Sequence, residues 1–150
     1  MGRKTIVLGL GNLLMGDEGV GVHVIRRLQE LELPPGVEPV DGGTAGIDLL
    51  PVFKEAARVI VVDAVRAGGE AGSIYRFGPK ELEEASQEAL SLHQLSLGEV
   101  LQAASLLGIE PEVTIIGVEP KQIAPGMEIS PELTEALPRV IEVILEELSK

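Results

Sequence analysis

Three residues of this chain are of types that hold a borderline metal ion or move a proton: Glu18, Asp63 and His93. Imidazole nitrogen with carboxylate oxygen suits first-row divalent ions. Asp63 is the sharpest of the three. It follows Val59-Ile60-Val61-Val62. A carboxylate ending so apolar a strand is expected at the floor of a crevice and partly desolvated. A plain turn acid at a strand end would read the same way. Glu18 stands beside Asp17 in Val7-Leu8-Gly9-Leu10-Gly11-Asn12-Leu13-Leu14-Met15-Gly16-Asp17-Glu18-Gly19-Val20-Gly21. An acid at a helix start also gains ~0.3–1 kcal/mol from the helix dipole, with no chemistry required. Asp17 is read as the N-cap of the helix that follows. His93 lies in Ser91-Leu92-His93-Gln94, whose Ser-to-Gln spacing fits a capping box and sets the histidine in a first helical turn. His23 falls mid-helix, off the apolar stripe, and is expected to face solvent.

Other chemistries have no residues to support them. There is no cysteine, which excludes disulfides, a thiol nucleophile and protein thiolate ligands. G-x-S-x-G and H-E-x-x-H are absent. Gly9-Leu10-Gly11 supplies two glycines of a dinucleotide turn, but the third position is Leu14 and no lysine makes it a P-loop. Asp17 and Glu18 would also repel a pyrophosphate at that helix start. A non-catalytic Rossmann-like module binding a nucleotide or a metal stands as the alternative to an enzyme.

The elements that must position these residues alternate. Strands are expected at 3–8, 37–40, 58–65, 73–77 and 112–118. Helices are expected at 19–31, 47–57, 79–89, 95–107 and 130–148. The helical stripes are Val20, Val24, Ile25, Leu28 and Leu31 in the first, and Leu97, Val100, Leu101, Ala104 and Leu107 in the fourth. Gly108 closes the fourth helix; Ser130 and Pro131 open the last as N-cap and first helical residue. The third strand reads as central, the fourth as an edge. Such alternation makes a three-layer α/β sandwich around a mostly parallel sheet. Ligands in such sheets sit beyond the strands' carboxyl ends. That rule selects Gly9–Gly19, Asp41–Gly46, Asp63–Arg66 and Glu119 onward.

The 150 residues, 45% apolar, suit one domain spanning 1–150. A net charge of −12 with almost no aromatics disfavours nucleic acid and anionic lipid as partners. No stretch is apolar enough to span a bilayer and no signal-peptide pattern is seen, so a cytoplasmic protein off the membrane is expected. Oligomeric state stays open.

Taken together, the glycine turn, Asp41-Gly42-Gly43-Thr44-Ala45-Gly46, Val61-Val62-Asp63-Ala64, Leu92-His93-Gln94-Leu95 and Thr114-Ile115-Ile116-Gly117-Val118-Glu119-Pro120 resemble, in order and spacing, the motifs of the hydrogenase maturation endopeptidases. The resemblance implies a three-layer α/β/α sandwich with a five-stranded mixed sheet, mostly parallel, whose fourth strand is antiparallel. It implies removal of a C-terminal extension from a nickel-loaded nickel–iron hydrogenase large-subunit precursor. Glu18, Asp63 and His93 match the family's nickel-contacting trio and would be the catalytic and metal-contacting residues. Some members have Asp where this chain has Glu18. Nickel would arrive with the substrate, whose thiolates would supply the soft ligands this chain lacks. Whether the metal would then polarise the scissile carbonyl or activate a water stays open. Asp41, Gly42, Gly43 and Thr44 would position the substrate backbone, or else form only a tight strand-to-helix turn. The substrate hydrogenase and the cut site are not identified.

Overall fold

The computed structural model describes residues 4–84 and 92–150, and their side chains except at 47, 83, 84 and 92–96. Its elements are β1 (Lys4–Leu10), a 3₁₀ turn (Gly16–Gly19), α1 (Val20–Leu28), β2 (Val37–Gly43), a second 3₁₀ turn (Ile47–Leu49), α2 (Leu50–Glu55), β3 (Ala56–Ala64), β4 (Ile74–Phe77), α3 (Pro79–Glu84), α4 (Leu92–Leu106), β5 (Glu112–Val118) and α5 (Pro131–Leu148). The expected helix beyond residue 84 and the Ser91 cap lie outside the described residues.

The five strands form one sheet in the order β2-β1-β3-β5-β4. All neighbours are parallel except β4, which runs antiparallel to β5 at the edge. Side-chain alternation then builds a core on each face. Val7, Ile60, Val62 and Ile116 pack against Val24, Ile25 and Leu28 of α1 and Leu137, Val140 and Ile144 of α5. Ile6, Leu8, Val59, Val61 and Ile115 pack the other way, against Phe53, Leu82, Leu97 and Val100. Covering on both faces explains why β1 and β3 read as unbroken apolar runs. The architecture is the expected three-layer sandwich. Among the described residues no helix is long and apolar enough to cross a membrane.

Several boundaries differ from the expectation. β1 continues through Gly9 and Leu10, and β2 through Gly43, because Gly9 pairs with Asp41 and Leu10 with Gly43 across a bulge. The backbone ladder continues where the side-chain pattern has stopped. Helix α1 stops at Leu28, so Leu31 is left exposed. Leu107 is exposed too. Gly108 takes a positive φ, and Ile109 N–H returns to the Ala104 carbonyl, closing α4 one residue early, at Leu106. The predicted second helix is a 3₁₀ turn followed by a short α-helix, with Ala56 already in β3.

Helix α1 approaches the sheet at two glycines. A Cβ on Gly21 would overlap the carbonyl oxygens of Val62 and Leu10, and one on Gly9 would overlap Gly21. Gly21→Ala is therefore expected to lose about 1–3 kcal/mol of stability by overpacking, as a fall in the urea midpoint at constant slope.

Candidate active site

The carboxyl ends of β1, β2, β3 and β5 bring four loops to one edge of the sheet. Asp63 is the penultimate residue of β3, opposite Gly117 of β5. It is 2% exposed. Its Oδ1 accepts the Ala64 N–H at 2.8 Å, while its buried Oδ2 has no hydrogen-bond partner among the described residues. Burial pushes the carboxyl well above the ordinary range; the Ala64 N–H opposes this, and the negative charge of Glu18 adds to it. Asp63 and Glu18 thus share one electrostatic neighbourhood.

The turn after β1 sets Glu18 there. Gly11 has φ +137°, and a side chain on it would strike the Glu18 carbonyl. Only glycine lets the chain fold back so closely. Glu18 N–H donates to the Met15 carbonyl at 3.3 Å within the 3₁₀ turn, which keeps Glu18 just ahead of α1.

His93 is the second residue of α4. That helix leads into the start of β5, so its first turn is the end nearer the carboxyl edge. The His93 side chain lies outside the described residues. Among those described, no three His, Cys, Asp or Glu side chains group closely enough to hold a metal ion.

Asp41 is exposed, and its Oδ1 accepts Gly43 N–H at 2.9 Å. Gly43 has φ +51° and its carbonyl accepts Gly11 N–H at 2.9 Å. A Cβ on Gly42 would press on Leu8 Cδ1 at 2.8 Å and Leu10 Cδ2 at 2.9 Å. These glycines serve the bulged end of β2 and tie it to the loop carrying Glu18. Thr44, like Asp41, is exposed beside them.

Asp17 is not the helix cap. Gly19 occupies that position, and Asp17 is 1% exposed. Its carboxylate reaches the loop between β5 and α5, accepting N–H groups from Lys121 (2.9 Å), Gln122 (3.0 Å) and Ser130 (2.6 Å) and the Ser130 hydroxyl (2.9 Å). Burial raises its pKa, but these donors outweigh burial and hold it below the ordinary value. Ser130 does stand at the N-cap of α5, but its side chain makes no cap bond; its hydroxyl donates to Asp17. The same loop pairs with the Glu18 loop through Gly16 N–H to Gly126 O (2.8 Å) and Gly126 N–H to Leu14 O (2.9 Å).

His23 is half-buried rather than solvent-facing. Its Nε2 is buried without a partner among the described residues, and Met127 lines the same cavity as the ring. Burial and then Arg26 lower its pKa. The 120s loop folds over α1 at that point, which the helical period of α1 alone could not reveal.

Glu119 was not singled out from its residue type. It is buried at the end of β5, and its Oε1 accepts Ala67 N–H (2.8 Å), Gly69 N–H (3.1 Å) and the Tyr75 hydroxyl (2.7 Å). The signal was present, since Glu119 ends an apolar strand as Asp63 does. The edge therefore holds two kinds of buried acid. Asp17 and Glu119 are surrounded by donors and brace loops. Asp63 retains an unpartnered oxygen. Such a carboxyl, next to a second one, can accept a cation in place of its proton or exchange a proton with a reactant.

The sequence profile of hydrogenase maturation proteases matches residues 22–147. The chain is 33% identical to the hydrogenase 2 maturation protease of Escherichia coli, covering 95% of this chain and 88% of that protein. Among solved structures, the hydrogenase maturating endopeptidase HybD from E. coli superposes with a TM-score of 0.90 at 32% identity, over 97% of this chain and 92% of that one. The [NiFe] hydrogenase maturation protease HycI from Thermococcus kodakarensis does so with a TM-score of 0.79 at 29% identity, over 99% and 94%.

Proposed function

The chain belongs to the hydrogenase maturation protease family, a family of peptidases, and from that membership we propose that it removes the C-terminal extension of a nickel-loaded nickel–iron hydrogenase large-subunit precursor. The observation carrying this reading is the buried, unpartnered Oδ2 of Asp63 beside Glu18. An orphaned carboxylate oxygen is costly to a fold unless something binds there.

Nickel in this reading is part of the substrate. It comes already bound to the precursor through soft ligands, and this chain contributes the harder oxygen and nitrogen donors Glu18, Asp63 and His93. Asp63 must lose its proton to bind a cation, and its raised pKa makes that loss depend on a cation being present. A precursor without metal then supplies no counter-charge for the carboxylate and leaves the edge unengaged. Asp41 and Thr44, exposed on the adjoining loop, contact the substrate backbone in this arrangement. The protein acts in the cytoplasm, where metal insertion into the precursor precedes cleavage.

Co-incubation with nickel-loaded and nickel-free precursor, followed by intact mass, tests the reading. Shortening of the loaded form alone is expected. Cleavage of both forms alike would remove the metal check, and cleavage of neither would remove the substrate assignment.

A further inference from the structure

Beside the Glu18 loop a groove runs away from the carboxyl edge, between α1 and the start of α5. One lobe, of about 230 Å³, is walled by Gly16, Asp17 and Gly126. The next, of about 390 Å³, is walled by His23, Arg26, Arg27, Met127 and Leu137. Glu128 and Ile129 line both, so the two lobes adjoin there. The 120s loop forming one wall is fastened by Asp17 at one end and lies against His23 at Met127.

The far lobe brings two arginines together on an acidic chain. Acidic residues outnumber basic ones 24 to 12. Lys4, Arg58, Arg76, Lys121, Arg139 and Lys150 are each taken up in ion pairs. Arg26 and Arg27 are exposed and, like Lys54 and Arg66, form no ion pair among the described residues; unlike those two, they stand side by side on one lobe. Met127, 63% exposed, lies next to them. The groove is not uniformly basic, since Glu128 stands where the lobes meet and Glu30 also lines the far lobe.

We propose that this groove seats the peptide segment that is cut off, entered beside Glu18 and ending with the segment's free α-carboxylate against Arg26 and Arg27. This rests on the endopeptidase reading above. A C-terminal extension brings a carboxylate at a set number of residues from the cut, and few other peptide substrates do. Guanidinium groups match a carboxylate by paired N–H donors, and two exposed arginines side by side present them. Glu128 at the neck disfavours an acidic residue there, so the anionic end is selected at the far lobe alone. Met127 and Leu137 offer adaptable apolar contact to the side chain before the terminus. The distance from Glu18 to the arginines then gauges the length of the extension.

The test is binding of a synthetic peptide carrying the C-terminal residues of a nickel–iron hydrogenase large-subunit precursor, labelled with fluorescein at its N-terminus and made with a free or an amidated C-terminus. Titration by anisotropy is run on the wild type and on the Arg26→Ala/Arg27→Ala double variant. Amidation is expected to weaken binding to the wild type about tenfold. The double variant is expected to bind both peptides alike, as weakly as the wild type binds the amide. Both arginines are exposed, so its thermal midpoint should match the wild type. Equal binding of both peptides to the wild type, discrimination that survives in the double variant, or no binding at all would each overturn the groove. Precursor cleavage is followed separately by intact mass. A wild type that discriminates the peptides yet never shortens the precursor would retain the groove and discard the endopeptidase reading.

Discussion

Asp63→Asn is expected to lower precursor cleavage by roughly 10³-fold or more while leaving the protein folded and, at neutral pH, at least as stable as the wild type. Both halves follow from one geometry. Asparagine fills the same volume in a site that is 2% exposed, and its oxygen can still accept the Ala64 N–H. It cannot become an anion, so it cannot take a cation in place of a proton. The stability half has a definite sign. Burial and Glu18 raise the folded-state pKa of Asp63 above its unfolded value. Between those two values the folded chain binds more protons than the unfolded chain, so wild-type stability falls as pH rises above about 4. The variant lacks that decline. Its advantage in the metal-free protein should be absent near pH 4 and grow toward neutrality, as urea midpoints across pH would show. Cleavage at the wild-type rate by a folded Asp63→Asn protein would remove Asp63 from the reaction. His93→Ala should lose cleavage as well, by the same assignment.

Asp17→Ala is expected to cost about 3–4 kcal/mol. Four donors from the loop between β5 and α5 would lose a common acceptor, three of them backbone N–H groups. Asparagine should rescue little, because its amide would face donors where the carboxylate now accepts. The linkage runs opposite to that of Asp63. The donors depress the folded-state pKa of Asp17. Its contribution is full above the unfolded value near 4 and is lost as pH falls through the folded value. Wild type and Asp17→Ala should therefore differ most at neutral pH and converge in acid. Since the same loop pairs with the turn carrying Glu18, cleavage should fall too, with Glu18 itself unaltered. An unchanged urea midpoint at pH 7 would refute the brace.

The acids at the carboxyl edge mark how far sequence reading reaches. Asp63 was legible because a carboxylate directly after Val59-Ile60-Val61-Val62 must be desolvated wherever that strand is central. Glu119 carries the same signature after Thr114-Ile115-Ile116-Gly117-Val118, yet it is a brace. The difference lies in Ala67, Gly69 and Tyr75, which come from 44 to 52 residues away. Asp17 looked like a helix cap because caps are local, whereas its partners lie 104 to 113 residues on. His23 looked solvent-facing for a related reason, since helical period shows which face meets the sheet and not which loop folds over the other face. Gly21 was visible as a glycine, but its purpose needed the carbonyls of Val62 and Leu10 on two other strands.

The amino-acid sequence by itself determined the element order, the central place of β3, the edge place of β4 and the set of loops on which chemistry would be found. Period, turn residues and apolar runs are local, and a parallel α/β sheet leaves them few arrangements. The tertiary structure decided which acids brace loops and which keep an unsatisfied oxygen. A carboxylate's role depends on how many donors surround it, and here those donors come from distant parts of the chain.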